Sequence, residues 1–353
     1  MNKYRSIATD IRDSIISGRW KPGERIPTQV ELRNLYGTTI ATVQKAMVEL
    51  QQENFIISSG RSGTFVNGRP PHLYHYAVVV PATLNEFSSW DTLWTNFVNL
   101  QRELEERFDC RFLFFCLEEG NPECSELRKL IADAECGRLA GIIFLQPPRE
   151  YLLPPLVASR TPCVVVTHDR LERVNTVWVD YGDFFRQAFD LLHESGCRRI
   201  AVLSEVRMPR DYIEGLCRYA ERQGAPIPPE FRLGYRLEPL SLAWLENLIA
   251  LLFRGGPGER PDGLILANEN FRDHVLHVLQ QRKLIPGKDI EIALHTNFPV
   301  EKSCPFPINR LGFEVGKILE ACLAALAESR RNGKADHSRL IPVTLDVPHT
   351  STC

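Results

Sequence analysis

Thr39, Thr42, Gln44 and Lys45 stand close together in the chain, and Arg61 and Ser62 follow between two glycines a little further on. Their side chains carry hydroxyls, a primary amide, an ammonium and a guanidinium. These are donors and acceptors suited to nucleobase edges, with positive charge suited to phosphate. A carboxamide such as Gln44 can pair with an adenine edge, and Ile40 or Ala41 can meet a thymine methyl. Such chemistry reads a duplex only when the side chains share one face of an element that fits a groove.

The apolar residues around them supply that element. Ile7, Ile11 and Ile15 recur every four residues, with Ala8 and Ile16 beside them, which predicts a first amphipathic helix ended by Gly18 and Pro22-Gly23. Thr28 after Pro27, with Glu31 three residues on, is a capping-box pattern for a second helix over Thr28–Tyr36, and Leu32 and Leu35 are expected on its buried side. After Gly37, a third helix over Thr39–Gln51 turns Val43, Ala46, Met47 and Leu50 inward. Ala41, Gln44, Lys45 and Val48 then face outward, with Ile40 and Thr42 on the flanks. Phe55–Ser58 and Thr64–Asn67 are β-rich runs around the tip Gly60-Arg-Ser-Gly63. Residues 1–67 therefore read as a winged helix-turn-helix. Its third helix can enter a major groove roughly 12 Å wide while Arg61 reaches phosphates or the minor groove. A small helical protein-interaction module is the alternative use of the same elements.

Tyr4-Arg-Ser-Ile-Ala, Ile15-Ile-Ser-Gly18, Lys21-Pro-Gly-Glu-Arg-Ile-Pro27, Glu31-Leu32, Thr42-Val43 and Gly63-Thr-Phe-Val66 together resemble the GntR-family DNA-binding domain over residues 3–67. The resemblance implies that Tyr4, Arg5, Thr28, Gln29, Ser62 and Gly63 join Thr39, Ile40, Ala41, Thr42, Gln44, Lys45 and Arg61 at the DNA surface. It also marks departures: Val30, Ile40 and Gln44 stand where the family usually has arginines. Arginine pairs in bidentate fashion with guanine, each pair being worth about 1–3 kcal/mol of discrimination, so an operator less dependent on guanine is expected.

Charge is unevenly divided. Residues 1–68 hold nine Lys/Arg against six Asp/Glu, a net of +3, which leaves −5 for the remainder of a chain whose total is −2. A mildly basic end on an acidic body suits nucleic-acid contact at that end. The chain has 353 residues, enough for two or three domains, and no apolar run long enough for a membrane span. Met-Asn-Lys-Tyr-Arg-Ser-Ile lacks a signal-peptide core, so a cytoplasmic protein is expected. The ten cysteines show no C-x-x-C pair and no Cys/His cluster at zinc spacing. No metal is expected, and the thiols read as small buried residues in a reducing cytosol.

Residues 68–75, with Pro70-Pro71, read as a linker. From 76 to 353 the pattern becomes strand and helix in alternation. Strands are expected at Tyr76–Val80, Arg111–Leu117, Gly141–Leu145, Cys163–Thr167, Arg199–Leu203, Gly263–Ala267 and Ile290–Leu294. Helices are expected near 92–108, 123–136, 183–195, 211–223, 242–254 and 271–283. The fold class is α/β: an N-terminal winged helix-turn-helix on a two-lobed body of parallel sheets. One lobe is expected to comprise about 76–179 and 303–331, the other about 180–302 and 332–353. The crevice between them gathers the loops at the strand ends, the usual ligand position in such folds.

Val177-Trp-Val-Asp-Tyr, Ala188-x-x-Leu-Leu-x-x-Ser-Gly-Cys-Arg-Arg-Ile-Ala-Val-Leu203, Pro261-Asp-Gly-Leu-Ile-Leu-Ala-Asn268, Gly312-x-x-x-Gly316 and Ser351-Thr352 resemble the LacI/GalR effector domain, which has the periplasmic-binding-protein fold. A GntR-type head on such a body is similar to the arabinose-repressor AraR group. The resemblance implies a homodimer on a two-fold double-stranded DNA operator, no cofactor, and a small-molecule effector, a carbohydrate by family, in the cleft. Strand ends and family positions nominate Thr83, Trp90, Gln146, His168, Asp169, Asp180, Arg210, Tyr212, Asn268, Glu269 and Thr296 as effector contacts. Trp90 could stack on a sugar face. The family's ligand arginine falls at Tyr212, with Arg210 two positions earlier, and its Gly-Phe-Asp run is replaced by Leu294-His-Thr296.

The alternative from another class is an α/β enzyme tethered to DNA by its head. His168 and Asp169 could serve acid–base chemistry, but no G-x-S-x-G elbow or H-E-x-x-H pair places a catalytic group. Gly255-Gly-Pro-Gly258 lacks the Lys-Ser/Thr of a phosphate cradle and reads as a loop.

Overall fold

The computed structural model describes residues 2–81, 92–117, 121, 123–145, 159, 161–167, 171, 174–205, 208–235, 242–299, 304–333 and 338–346. Helix α1 (Lys3–Ile16) buries Ile7, Ala8, Ile11 and Ile15 in the same small core as Val43, Ala46, Met47 and Leu50 of α3 (Ile40–Gln52). Between them α2 (Gln29–Leu35) adds Leu32. Leu35, expected beside it, is instead 67% exposed. The end of α2 meets the core through Tyr36, four residues after Leu32, which leaves Leu35 turned away. Strands β1 (Ile56–Ser58) and β2 (Thr64–Val66) pair antiparallel and close the core with Phe55, Ile56 and Val66. A short 3₁₀ turn, Gly60–Ser62, forms the wing tip.

The expected linker contains a single helical turn, α4 (Pro71–Tyr74), which runs straight into β3 (His75–Pro81). The first sheet of the body is then built from β3, β4 (Arg111–Leu117), β5 (Gly141–Phe144), β6 (Cys163–Thr167) and β7 (Asn175–Val179), with α5 (Thr92–Phe108) and α6 (Ser125–Glu135) among the connections. Its order is β4-β3-β5-β6-β7, all parallel. From Asp180 the chain passes into α7 (Tyr181–Glu194) and builds the second sheet from β8 (Ile200–Glu205), β9 (Arg232–Tyr235), β10 (Gly263–Leu266) and β11 (Glu291–Phe298). Helices α8 (Arg210–Arg222), α9 (Leu242–Leu252) and α10 (Arg272–Gln281) connect them. Strands β5, β6 and β10 are buried along their whole length, as expected for parallel strands covered on both faces.

The return between lobes differs from the sequence expectation. β12 (Asn309–Glu314) lies beside β11 in the second sheet, not in the first lobe. α11 (Val315–Asn332) then crosses to pack on β6 and β7. β13 (Ser338–Ile341) completes the first sheet beside β7, and β14 (Thr344–Asp346) returns to pair antiparallel with β12. The physical reason is the register of β12 on β11: a Cβ on Gly312 would lie 1.8 Å from the Thr296 carbonyl oxygen, so the bare backbone allows the close pairing. Each lobe consequently receives strands from distant parts of the chain. One apolar cluster runs through both lobes, from Val78, Phe97 and Val177 to Phe184, Ile265 and Leu311, with Leu319 and Leu326 of α11 among its members.

Candidate nucleic-acid interface and interlobe cleft

α3 begins under Thr39, whose Oγ1 accepts the Thr42 amide at 3.2 Å and lies 2.9 Å from the Thr42 hydroxyl. The inward stripe leaves Ile40, Ala41, Gln44, Lys45 and Val48 exposed and Thr42 half-buried. Thr28 and Gln29 are exposed at the start of α2, beside Val30. Thr28 is committed to the cap: Glu31 accepts its amide at 2.7 Å and its hydroxyl at 2.8 Å, and the first of these bonds holds the Glu31 carboxyl below its usual pKa. Tyr4 packs partly against the head core, and exposed Arg5 donates to its hydroxyl at 3.2 Å.

Arg61 and Ser62 are exposed at the wing tip. Gly63 has φ +114°, and a Cβ there would lie 2.7 Å from Arg25 Nε. The wing backbone is therefore flush with the Arg25 side chain, an exposed second cation that sequence reading passed over. Arg25 lies in the turn before α2, and its approach to the wing rests on an isolated bridge between Arg25 and Phe65. Nothing in local spacing announces that pairing.

Of the nominated effector contacts, Thr83, Trp90, Gln146, His168 and Asp169 lie outside the described residues. Asp180 caps α7, accepting the Asp183 amide at 2.9 Å. Tyr212 stands near it, its ring 6.2 Å from that of Tyr181, while Arg210 is exposed at the start of α8. Tyr212 and Gly182 line an open cavity of about 260 Å³ between α7 and α8, with Arg186, Tyr219 and Arg222. The buried Tyr181 hydroxyl lies 3.2 Å from His295 Nε2, and the two rings stack.

Asn268 turns its side-chain oxygen to the Asn270 amide at 2.9 Å. Glu269 does something the sequence did not show. One carboxylate oxygen accepts the Asn297 backbone amide at 2.9 Å, the Asn297 side-chain amide at 2.8 Å, and the hydroxyl of Thr92. Asn96, 3% exposed, donates to the carbonyls of Asn297 at 2.6 Å and Pro299 at 2.9 Å. Thr92 and Asn96 belong to α5 of the first lobe, so this clasp joins the lobes. Thr296 is 2% exposed and its hydroxyl lies 3.4 Å from the Leu294 carbonyl; the neighbouring Asn297 supplies the interlobe contact. Thr92, Asn96 and Asn297 were not nominated from sequence.

With this geometry in hand, comparison with known proteins is decisive for the head. Residues 3–66 match the family model described as bacterial regulatory proteins, gntR family. The head is a gntR-family DNA-binding domain. Across both parts, the chain is 26% identical over 311 residues to the arabinose metabolism transcriptional repressor of Geobacillus stearothermophilus, covering 84% of this chain and 82% of that one. The body superposes on a LacI-family regulatory protein from Chloroflexus aggregans with TM-score 0.63 and 18% identity, covering 77% and 96% of the two chains. It likewise matches the lac repressor dimer bound to operator and the anti-inducer ONPF, with TM-score 0.60 and 15% identity over 77% and 91%. The gntR-type head thus sits on a body with the LacI-regulator fold. These relatives are regulatory proteins, and the enzyme alternative has no counterpart among them. Among the described residues, no helix is long and apolar enough to cross a membrane.

Proposed function

We propose that the protein is a ligand-responsive transcriptional repressor that binds a two-fold operator as a dimer. A small molecule in the interlobe cleft, a sugar or sugar derivative, sets its DNA affinity. The observation that carries this reading is the union, in one chain, of an exposed base-reading face on α3 with a two-lobed body whose lobes meet through polar side chains. The Geobacillus repressor spans the same two parts. Residues 1–67 would bind DNA, 68–75 connect, and 76–353 sense the effector.

Asn268, Glu269, Asn297, Thr92 and Asn96 offer hydrogen-bonding groups of the kind that polyhydroxylated ligands use. Coupling then follows from competition: a ligand that takes over bonds of the clasp changes the lobe-to-lobe equilibrium. A dimer is supported by α9, where Trp244 and Leu251 are 71% and 62% exposed, one heptad apart, on the side opposite buried Leu245, Ile249 and Phe253.

Footprinting on the DNA upstream of the protein's own gene tests the DNA arm, with a two-fold-related protected region expected. Absence of sequence-specific protection at physiological salt removes the basis of the reading. Thermal-shift screening against pentoses, hexoses and their phosphates tests the effector arm, with stabilisation and no turnover expected.

A further inference from the structure

The head is seated on the first lobe by a chain of alternating charges. Glu53 ends α3, and its carboxylate grips two arginines. Oε2 accepts Arg12 of α1 at 3.1 and 2.5 Å, and Oε1 accepts Arg138 of the body at 2.8 Å. Arg138 lies in the turn between α6 and β5, and its Nε sits 2.8 Å from Asp133 Oδ1. The side chains of Arg12 and Glu53 are only 5% and 13% exposed, so these charges are poorly screened. Beside them, Gly137 has φ +62°, and a Cβ there would fall 2.3 Å from Ile16 Cδ1, which brings the turn flush against the end of α1. The linker adds a second seat. His72 stacks on Phe55 of the head, with ring centroids 6.0 Å apart, and Arg330 of α11 bonds the His72 carbonyl at 3.3 Å and the Tyr76 hydroxyl at 2.9 Å.

We propose that Arg138 is a positioning residue for DNA recognition: by gripping Glu53 at the end of the recognition helix, it fixes the head on the first lobe and so selects the separation of half-sites that a dimer can span. This rests on the dimeric-regulator reading above. With α4 unwound, the seven residues 68–74 between the head and β3 can reach about 23 Å when extended, more than the ~17 Å of half a DNA turn, so untethered heads would accept spacings that seated heads refuse. Arg138 bonds Glu53 and pairs with Asp133, and its effect on the DNA-facing residues runs through Glu53.

The test compares wild type with Arg138→Glu, Arg138→Ala and the conservative Arg138→Lys. Probes are a single half-site, the full footprinted site, and that site with about five base pairs inserted between its halves. Wild type is expected to lose about ten-fold or more in affinity on insertion, because the second head can no longer engage. Arg138→Glu should bind the half-site as wild type does but lose less than about three-fold on insertion, with Arg138→Ala intermediate and Arg138→Lys restoring discrimination. A merely structural role would lower half-site binding and leave the spacing ratio unmoved. Limited proteolysis of the 68–75 linker, which needs no DNA, should run about ten-fold faster in Arg138→Glu than in wild type. Unchanged linker protection, or unchanged spacing discrimination against a wild type that has it, overturns the inference alone. A wild type with no preference for a two-fold site overturns the regulator reading and this inference with it.

Discussion

The head assembles its working surface from neighbours in sequence: Thr39 caps α3 through Thr42, three positions away, and the outward groups follow within two turns. The cleft does the opposite. Its clasp joins Thr92 to Glu269 across 177 positions and Asn96 to Asn297 across 201. The difference teaches where function can be read locally. In the head, helical spacing selects the buried residues and thereby exposes the rest. In the cleft, helical or strand spacing says only that a residue is near an element's end, and packing decides its partner.

Core truncation in the head is expected to have the largest effect and tests whether the two regions are energetically separate. Leu32 is completely buried, so Leu32→Ala should cost about 2–5 kcal/mol of head stability. Two-step urea unfolding should show the head transition lowered and the body transition in place. If both shift together, the seam at Glu53 and Arg138 binds the regions more tightly than the comparison allows.

Next comes the clasp. Glu269→Ala leaves the Asn297 amides and the Thr92 hydroxyl without their acceptor and should cost about 1–3 kcal/mol in the body alone. Differential scanning calorimetry should register a lower body transition beside an unchanged head. An unchanged body would mean that the clasp contributes nothing to lobe closure.

Acid should act at the seam between the regions. Burial, with the charge of Arg330 adding to it, lowers the His72 pKa from 6.5 to about 4. The unfolded chain therefore binds the extra proton first. Stability from this site is full above pH 6.5 and is lost as pH falls towards 4, by on the order of 1–2 kcal/mol. Urea midpoints taken across that window, for wild type and His72→Gln, should show the acid slope shallower in the variant.

The smallest effect is local. Thr28→Ala removes the hydroxyl of the α2 capping box and should cost about 1 kcal/mol, confined to the head transition. A loss spreading to the body would blur the contrast.

Much of the fold was legible in the sequence, for identifiable reasons. Strands such as Cys163–Thr167 and Gly263–Leu266 carry runs of Val, Ile and Leu and are buried along their whole length, as parallel strands covered on both faces require. Arg232–Tyr235 and Asn309–Glu314 escaped notice because partly exposed strands near a sheet edge keep polar residues and lose that signature. The misplacement of 309–314 in the first lobe has the same source. Leu35 is exposed because apolar character marks a residue only as able to be buried, and the turn after Leu32 meets the core through Tyr36, four positions on, rather than through Leu35. At the site, Glu269 stood out as a polar group after a buried strand. Thr296 holds the family position, but a strand alternates its faces: Thr296 turns into the core, and the next residue, Asn297, meets Glu269 and α5.

The sequence alone determined the winged head, its outward residues and the parallel, two-lobed character of the body. These follow from burial repeated at a fixed period, which each short segment expresses by itself. Tertiary structure decided which lobe β12, β13 and β14 join, that Glu269 reaches across to α5, and that Arg138 meets the end of the recognition helix. Those contacts link residues far apart in the chain, and their partners are set only when the intervening elements have packed.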